Sequence, residues 1–273
     1  GIGQEQLSGM AHMTGYAGDG PMKSGINHGD PITGSHAAGV VLAALRHRRR
    51  TGQGRYIDVS QQESAVSLIG ADVLAYQVTG QEPQRRGNHS PDFAPHNAYL
   101  CAGEDRWVTI AAVTDGQWQS LAAIIEADGG ADGLAADPRF ASNGARLEYQ
   151  NELDAIIRGW TREREPYPIT QQLQDAGVPA SPVLRGPDLL QDPHYLERET
   201  FIEVDHPKVG PKWYPGIPWK MSVTPGRVHW PSPSLGEHNW HVYGQLLGMA
   251  NEDISQLEID GVIGVKPTGS RII

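Results

Sequence analysis

The spacing of apolar residues predicts helices and one strand over the first 80 positions. Small and apolar residues recur at helical spacing over 4–13. A helix predicted over 31–50 contains the apolar run 37–45, which has the length of a buried core helix. Polar and apolar residues alternate over 55–60, which predicts a short strand, and helical spacing returns over 61–80. This order of helix, strand and helix indicates part of an α/β layer.

A polar segment rich in glycine and proline, 81–97, precedes a second group of predicted elements. The pattern beyond it predicts a hairpin, with strands at 98–102 and 106–112 joined by a Gly-Glu-Asp turn. Further predicted elements are an amphipathic helix at 115–127, a helix in the later part of 136–161, and a short helix followed by a strand within 167–184. We therefore expect a small α+β domain over 81–180.

Proline and tryptophan are frequent after residue 180, where we expect extended strands separated by prolines. The pattern then predicts helices at about 237–247 and 252–260, the second of them capped by Asn251. The fold class that we predict is α/β. Its predicted parts are a large-domain segment over 1–80, the small domain over 81–180, and an extended linker with C-terminal helices over 181–273.

Composition and charge exclude several classes of protein. The formal net charge of −10 disfavours a nucleic-acid-binding protein, which needs a basic surface. The one basic run, 46–50, falls at the C-terminal end of a predicted helix, where cations complement the helix dipole. The single cysteine, Cys101, excludes an intrachain disulfide and fits the reducing cytoplasm. No apolar run reaches the roughly 18 residues of a membrane span.

Motifs for metal, phosphate and serine chemistry are absent from the sequence. The glycine-rich stretches "GYAGDG" and "GINHGD" lack the spacing of a phosphate-binding loop, and the serine hydrolase pattern G-x-S-x-G does not occur. One cysteine does not supply the usual zinc ligands. His238 and His241 lie three positions apart beside Glu237, a spacing that a half-exposed helix also gives by chance. We therefore predict no metal site.

Asp30 is the candidate reactive group. It lies between Gly29 and Pro31 at the predicted start of the helix over 31–50, where an aspartate is a favoured N-cap and a proline a favoured first residue. Small residues around it leave space for a ligand, and the N–H groups of a helix start stabilise negative charge, including that of an oxyanion. A carboxylate can also act as a covalent nucleophile. The residues alone leave both roles open.

Several segments, in the same order, resemble the class III CoA-transferase family, which also contains acyl-CoA racemases. In the first third of the chain these segments are "TG" followed by "DGPM", an aspartate before a helix of small residues, "LAAL" with a basic tail, "TGQG", and "DVSQQESAV". Further along they are "PHNAYLCAGEDRWVTIA", "DPRF", "AGVPASPV" and "LGEHN". The resemblance extends from the start of the chain to about residue 263.

The resemblance implies a reaction at Asp30. In this family the aspartate at this position attacks an acyl-CoA thioester to form a mixed anhydride, CoA thiolate converts the anhydride into an aspartyl-CoA thioester, and an acceptor acid then takes the CoA. The implied substrates are a coenzyme A thioester and a carboxylic acid, without a tightly bound cofactor. The implied fold is a Rossmann-like large domain, to which 1–80 and the C-terminal part belong, with a small domain over 81–180. Two such chains form an interlocked homodimer.

The resemblance also implies residues that bind substrate and CoA. We assign this role to Gly29, His28, Gly87, Asn88 and Arg49. The loop that covers the active site in the family corresponds to about 87–97, which here reads "GNHSPDFAPHN" and lacks the family's glycine run. A basic patch that attracts the CoA phosphates is a further hypothesis. Its members are Arg46, Arg48, Arg49, Arg85 and Arg86.

The chain also departs from the family pattern, and two alternatives follow. The nucleotide-binding half with which family members begin is absent, so we expect a C-terminal part that exposes an apolar face and needs a partner. A racemase needs a base opposite Asp30; His12 and His28 are available, but neither matches the family's histidine position. Glu5 lies too far along to match the family's second acidic residue. The other alternative is a non-catalytic family member that only associates with a partner.

Overall fold

A computed structural model describes residues 2–266 of the chain. These residues form two units by their internal contacts, one ending at Val183 and the other beginning at Leu184. The predicted division at residue 80 stays a prediction. Both sheets are antiparallel, and the described residues contain no parallel strand pair. The fold thus mixes helices with sheet, as expected, but the parallel layer of a Rossmann-like domain is not visible in residues 2–266.

All regular elements between residues 2 and 80 are helices, as the apolar spacing predicted for 4–13, 31–50 and 61–80. The helices are α1 (Ile2–Leu7), α2 (Met10–Met13), α3 (Gly29–Thr51), α4 (Gln61–Val66) and α5 (Gly70–Thr79). A 3-10 turn at Ser67–Ile69 separates α4 from α5. Helix α4 packs against both α1 and α3, which brings three helix termini into one region.

The predicted strand over 55–60 is wrong. These residues form no strand, because no neighbouring strand among the described residues pairs with their backbone. Tyr56 is 92% exposed. The last residue of the segment, Ser60, is instead the N-cap of α4, where its Oγ accepts a hydrogen bond of 3.2 Å from the backbone N–H of Glu63.

Two predicted helix caps are also wrong. Asp30 is not the N-cap of α3, because the helix begins at Gly29 and His28 occupies the cap position with helical dihedral angles. Asp30 lies in the first turn, where a proline at position 31 is still tolerated because first-turn N–H groups have no partner within the helix. Asn251 is likewise the first residue of its helix and Ala250 the cap.

The apolar run in α3 was predicted to be buried, and this prediction is wrong for the chain by itself. Leu42 is 67% exposed, and Val40, Val41 and Leu45 are each more than 40% exposed. Helix α5 likewise exposes Leu74 (63%) and Val78 (86%). Helices that are apolar all round are ordinarily buried. The expectation of an uncovered apolar face is therefore confirmed for α3 and α5.

The second part of this unit is a three-stranded antiparallel sheet covered by helices on one face. The elements are β1 (His96–Leu100), β2 (Trp107–Ala111), α6 (Asp115–Ala127), α7 (Asn143–Glu148), α8 (Gln150–Thr161), α9 (Pro166–Asp175) and β3 (Ala180–Pro182). The predicted hairpin and the helix at 115–127 are confirmed. The hydrophobic core fills the space between sheet and helices. Its largest members include Tyr99, Trp118, Phe140, Leu153, Ile157 and Trp160.

The unit that begins at Leu184 contains short elements around one hairpin. They are α10 (Gly186–Leu189), α11 (Pro193–Glu197), β4 (Phe201–His206), β5 (Gly210–Pro215), a π-helix at Trp240–Leu246 and α12 (Asn251–Ile259). The last helix is confirmed, and the predicted extended strands are confirmed at β4 and β5, but the described residues of this unit contain no further strand after Pro215. The helix predicted at about 237–247 begins only at Trp240, after a turn over 235–238.

Candidate active site

The carboxylate of Asp30 lies at the solvent-exposed start of α3. Its Oδ1 accepts a hydrogen bond of 2.9 Å from Nε2 of Gln61. Within the described residues, no group is hydrogen-bonded to the other oxygen, Oδ2. The structure thus holds the carboxylate through one oxygen and leaves the second oxygen accessible.

Gln61 reaches Asp30 because two helices begin side by side. Ser60 caps α4 through two of its oxygens. Its Oγ accepts a hydrogen bond from the backbone N–H of Glu63, and its carbonyl oxygen accepts one of 2.8 Å from Oγ of Ser64. Gln61 is the first residue of the capped helix. Its own Oε1 accepts a hydrogen bond from Nε2 of Gln4 in α1.

Gly29 and His28, both predicted to bind substrate, lie beside Asp30 but differ in environment. Gly29 is buried, and the Gln4 amide packs so closely on it that an added Cβ would overlap Oε1 of Gln4 and lie 2.7 Å from Cδ. The Gly29 carbonyl accepts a bond of 2.7 Å from Oγ1 of Thr33. His28 is half-buried, and its side chain makes no capping hydrogen bond. Gln61, the residue after the Ser60 cap, is therefore the hydrogen-bond partner of Asp30, and His28 is not.

Glu5 is buried and has a structural partner in the loop before α3. Its carboxylate accepts hydrogen bonds from the backbone N–H of Ser24 (2.9 Å) and from Oγ of Ser24 (2.8 Å). The hydrogen bond from the Ser24 N–H holds the pKa of Glu5 below its ordinary value. These bonds fasten the loop that leads to Asp30. They assign Glu5 to loop anchoring.

Of the two predicted bases, only His28 lies beside Asp30, and Arg49 and Arg85 of the arginine patch are held elsewhere. His12 lines a separate cavity of about 400 Å³ with Asp72 and Tyr76. Arg49 lies nineteen residues beyond Asp30 on the same helix, which corresponds to about 28 Å at 1.5 Å per residue. Arg85 donates hydrogen bonds to the backbone carbonyls of His12 and Asp19, at 2.8 and 2.9 Å, so it braces a loop.

Gly87 and Asn88 begin the loop predicted to cover the active site. The Gly87 N–H donates a bond of 2.9 Å to the carbonyl of Gly15, and its φ of +60° suits glycine. The Asn88 carbonyl is hydrogen-bonded to Nδ1 of His96. Both residues line a cavity of about 660 Å³ over the open face of the β1–β2–β3 sheet. Gly87 and Asn88 therefore line the same cavity. Asp30 is not among the residues that line it.

A buried carboxylate that the sequence analysis missed fixes the same loop. Asp154 is 4% exposed and accepts hydrogen bonds from Tyr99 Oη (2.6 Å) and Asn97 Nδ2 (2.6 Å), and its Oδ2 lies 2.7 Å from Nε2 of His89. Burial, followed by the nearby Asp154 charge, raises the pKa of Tyr99 well above its ordinary value. The signal in the sequence was an acidic residue inside the apolar stripe of α8.

Glu237, His238 and His241, which lie close together in the sequence, form no metal site. The Glu237 carboxylate accepts a bond of 2.6 Å from the Ser234 N–H, and His241 is hydrogen-bonded to Gln245. Among residues 2–266, no three His, Cys, Asp or Glu side chains are placed to hold a metal ion. In the same range, no helix combines the length and apolar character needed to cross a lipid bilayer.

A sequence model of one family matches most of the chain. The model describes "CoA-transferase family III", and the match covers residues 2–239. That range contains Asp30, Gln61 and the whole β1–β2–β3 sheet.

Curated relatives carry the same kind of name. The chain is 35% identical over 259 residues to the succinyl-CoA–D-citramalate CoA-transferase of Chloroflexus aurantiacus, which covers 95% of this chain and 63% of the relative. It is 34% identical to the succinyl-CoA:mesaconate CoA-transferase of Haloarcula marismortui, over 86% of this chain and 57% of the relative. It is 30% identical to the formyl-CoA:oxalate CoA-transferase of Streptomyces coelicolor, over 95% and 65%.

A solved structure agrees with the fold. The crystal structure of a CAIB/BAIF family protein from Brucella suis superposes with a TM-score of 0.77 and 28% identity, over 89% of this chain and 61% of that one. The chain thus spans less than two thirds of the length of each of these relatives.

Proposed function

Because the chain belongs to CoA-transferase family III, we propose that it carries the nucleophile for transfer of CoA from an acyl-CoA thioester to a carboxylic acid. The nucleophile is Asp30. The observation that carries the proposal is the exposed carboxylate at the start of α3, with Oδ1 held by Gln61. A carboxylate in this setting has one oriented oxygen and one oxygen accessible for attack.

The proposed reaction exchanges acyl and CoA groups on this carboxylate. Oδ2 of Asp30 attacks the acyl carbon of the donor thioester, and the C–S bond breaks to release CoA thiolate. The thiolate attacks Cγ of Asp30 in the mixed anhydride, and the donor acid leaves as a carboxylate with the bridging oxygen. The acceptor carboxylate then attacks Cγ of the aspartyl-CoA thioester and expels the thiolate. Finally the thiolate attacks the acceptor's acyl carbon, which regenerates Asp30.

The substrate class follows from the names of the relatives. These names pair succinyl-CoA with citramalate or mesaconate, and formyl-CoA with oxalate. We therefore propose a short-chain acyl-CoA as donor and a small dicarboxylic acid as acceptor. Coenzyme A enters as part of the substrate, and the chemistry assigned to Asp30 requires no further cofactor.

We also propose the family's assembly for this chain. The uncovered apolar residues of α3 and α5 suit burial in a larger α/β domain, completed by an N-terminal half and by an interlocked second copy. These apolar residues of α3 and α5 are exposed in the single chain and would be buried in the proposed assembly.

Replacement of Asp30 tests the proposed function. Asp30→Asn keeps the shape and the contact with Gln61 but removes the nucleophilic oxygen, so we expect succinyl-CoA:succinate exchange to fall to background. Asp58→Asn, an exposed aspartate between α3 and α4, is the matched control and should retain the wild-type rate. Full exchange activity in Asp30→Asn would overturn the proposal. A racemase would instead exchange the α-proton of a 2-methylacyl-CoA with deuterium in heavy water.

A further inference from the structure

We infer that Gln61 is a catalytic residue that stabilises the negative charge formed on Asp30's own Oδ1 during the reaction, and that Gln4 positions Gln61. The inference rests on the proposed function of Asp30. Gln61 Nε2 lies 2.9 Å from Oδ1, an atom that takes part in the proposed reaction. Gln4 contacts the opposite end of the Gln61 amide.

The carboxylate sets the direction of both amides. An ionised carboxylate only accepts hydrogen bonds, so Gln61 presents its NH₂ group to Asp30. Its Oε1 then faces Gln4, which must in turn present its own NH₂ group. The result is a relay of donors that runs from Gln4 through Gln61 to Asp30. Rotation of either amide by 180° would bring two oxygens together.

Packing holds the start of this relay in place. Gln4 Oε1 is buried, has no hydrogen-bond partner among the described residues, and lies directly against the Cα of Gly29. The absence of a side chain at position 29 therefore makes room for the Gln4 amide. Gln61 in turn is fixed at the first position of α4, whose cap is made by Ser60. The start of α3 thus holds the Gln4 side chain, and the start of α4 holds Gln61.

Two of the proposed chemical steps occur at Cγ of Asp30. When CoA thiolate attacks the anhydride, and again when the acceptor carboxylate attacks the aspartyl-CoA thioester, the Cγ–Oδ1 double bond opens. Its electron pair moves onto Oδ1, then returns as the leaving group departs. A donor 2.9 Å from that oxygen stabilises the charge at the moment it forms. No proton needs to be transferred to Oδ1 at any point.

A neutral amide suits both states of Asp30. A cation at the same distance would pair with the carboxylate and weaken it as a nucleophile. The amide holds Oδ1 without neutralising the charge, and so leaves Oδ2 reactive. It strengthens its hydrogen bond when full charge gathers on Oδ1. Loss of one such donor typically costs about 10²–10³-fold in kcat.

The test compares Gln61→Met with Gln62→Met in the purified protein, with succinyl-CoA and succinate as substrates. Gln62 is an exposed amide on the same helix that bonds to the Leu7 carbonyl and does not contact Asp30. We expect Gln61→Met to lower kcat and the single-turnover rate of aspartyl-CoA formation by about 100-fold with little change in KM. For Gln62→Met, kcat and the single-turnover rate should stay within about threefold of the wild-type values.

A second variant, Gln61→Glu, separates catalysis from packing. An ionised glutamate cannot donate to Oδ1, but a protonated one can. The activity of Gln61→Glu should therefore rise relative to wild type as the pH falls, which a purely structural role would not produce. Equal rates in Gln61→Met and Gln62→Met, with a normal adduct on wild-type Asp30, would overturn this inference alone. Absence of any adduct on wild-type Asp30 would overturn the proposed function and this inference together.

Discussion

Asp30 and Gln61, 31 residues apart in the chain, are joined by a hydrogen bond of 2.9 Å between the first turns of two helices. One is the carboxylate to which the family resemblance assigns the reaction; the other is a neutral amide to which the resemblance assigned no role. The bond exists because α4 packs against α3 and begins at a serine cap. The geometry of the candidate nucleophile thus depends on where two helices start.

Gly29→Ala should lower the transfer rate with little loss of stability. The new Cβ would overlap the end of the flexible Gln4 side chain, which must move away from Gln61. We expect kcat to fall as far as it does in Gln4→Met, because both changes remove the same support. Steady-state kinetics of the two variants and of Gly29→Ala/Gln4→Met measure this. A double variant much slower than either single one would contradict a shared cause.

Gly34→Ala is the matched control on the same helix. No atom lies within 4 Å of a Cβ added at Gly34. The alanine should therefore raise the free energy of unfolding by roughly 0.5–1 kcal/mol, as expected for glycine replacement inside a helix, and leave kcat unchanged. Urea unfolding followed by circular dichroism measures the first effect.

Arg146→Met should destabilise the helical and sheet core strongly. The Arg146 side chain is fully buried and donates to the carbonyls of Ala94 (2.8 Å) and Phe140 (3.2 Å), and to Asp115 (2.7 Å). Each buried carbonyl left without its donor costs about 1–3 kcal/mol. We expect the urea midpoint to fall accordingly.

Arg139→Met is the comparison for that variant. Arg139 pairs with Asp137 at 2.6 Å, but its side chain is 47% exposed, so solvent replaces the lost contact. Its unfolding midpoint should stay close to that of wild type. Equal losses in the two variants would show that burial of Arg146 does not govern its contribution.

Cys101 should resist alkylation in the folded protein. Burial raises the pKa of its thiol to about 11 from an ordinary 9.0. Iodoacetamide at pH 8 should therefore label it only after unfolding in urea, as read by intact mass. Because the raised pKa disfavours the thiolate in the folded state, this contribution to stability is complete below pH 9 and is lost as the pH rises to about 11.

The pH dependence has its own control. Cys101→Ala removes the titrating group, so its free energy of unfolding should fall less steeply than that of wild type between pH 9 and 11. Parallel slopes in the two proteins over this range would contradict the assignment.

Leu42→Glu should weaken the proposed assembly. Leu42 is 67% exposed in the middle of the apolar stretch of α3, and an ionised side chain there would not tolerate burial against a partner. Sedimentation velocity should show a smaller species than wild type. Gln53→Glu adds the same charge in the exposed segment after α3 and should leave the sedimentation coefficient unchanged. Identical sedimentation of wild type and Leu42→Glu would contradict burial of this face.

Local patterns were sufficient to predict the elements with their own caps and cores. The helix at 115–127 is an example, because Thr114 and Gln117 form a capping box and its apolar stripe faces the sheet. The strand over 55–60 was wrong, since strand formation depends on a neighbour that local alternation does not reveal. The cap at Asp30 was wrong because α3 begins one residue before it, at Gly29.

The candidate site was predictable only in part. Family motifs selected Asp30, but nothing in a sequence distinguishes Gln61, which contacts Asp30, from the adjacent Gln62, which does not. The difference arises from the direction in which α4 leaves its cap. Asp154 was missed because its three partners come from a loop and a strand more than fifty residues away. Such contacts belong to tertiary packing.

The most direct test of Asp30 as the nucleophile follows the oxygen atoms of the acceptor acid. In the proposed reaction, the acceptor's attacking oxygen becomes Oδ2 of Asp30 at the end of each turnover. Incubation of the protein with succinyl-CoA and oxygen-18 succinate, followed by proteolysis and mass spectrometry, should therefore place one heavy oxygen in Asp30 and none in Asp58. Continued CoA transfer without any heavy oxygen in Asp30 would contradict the proposed reaction at this carboxylate.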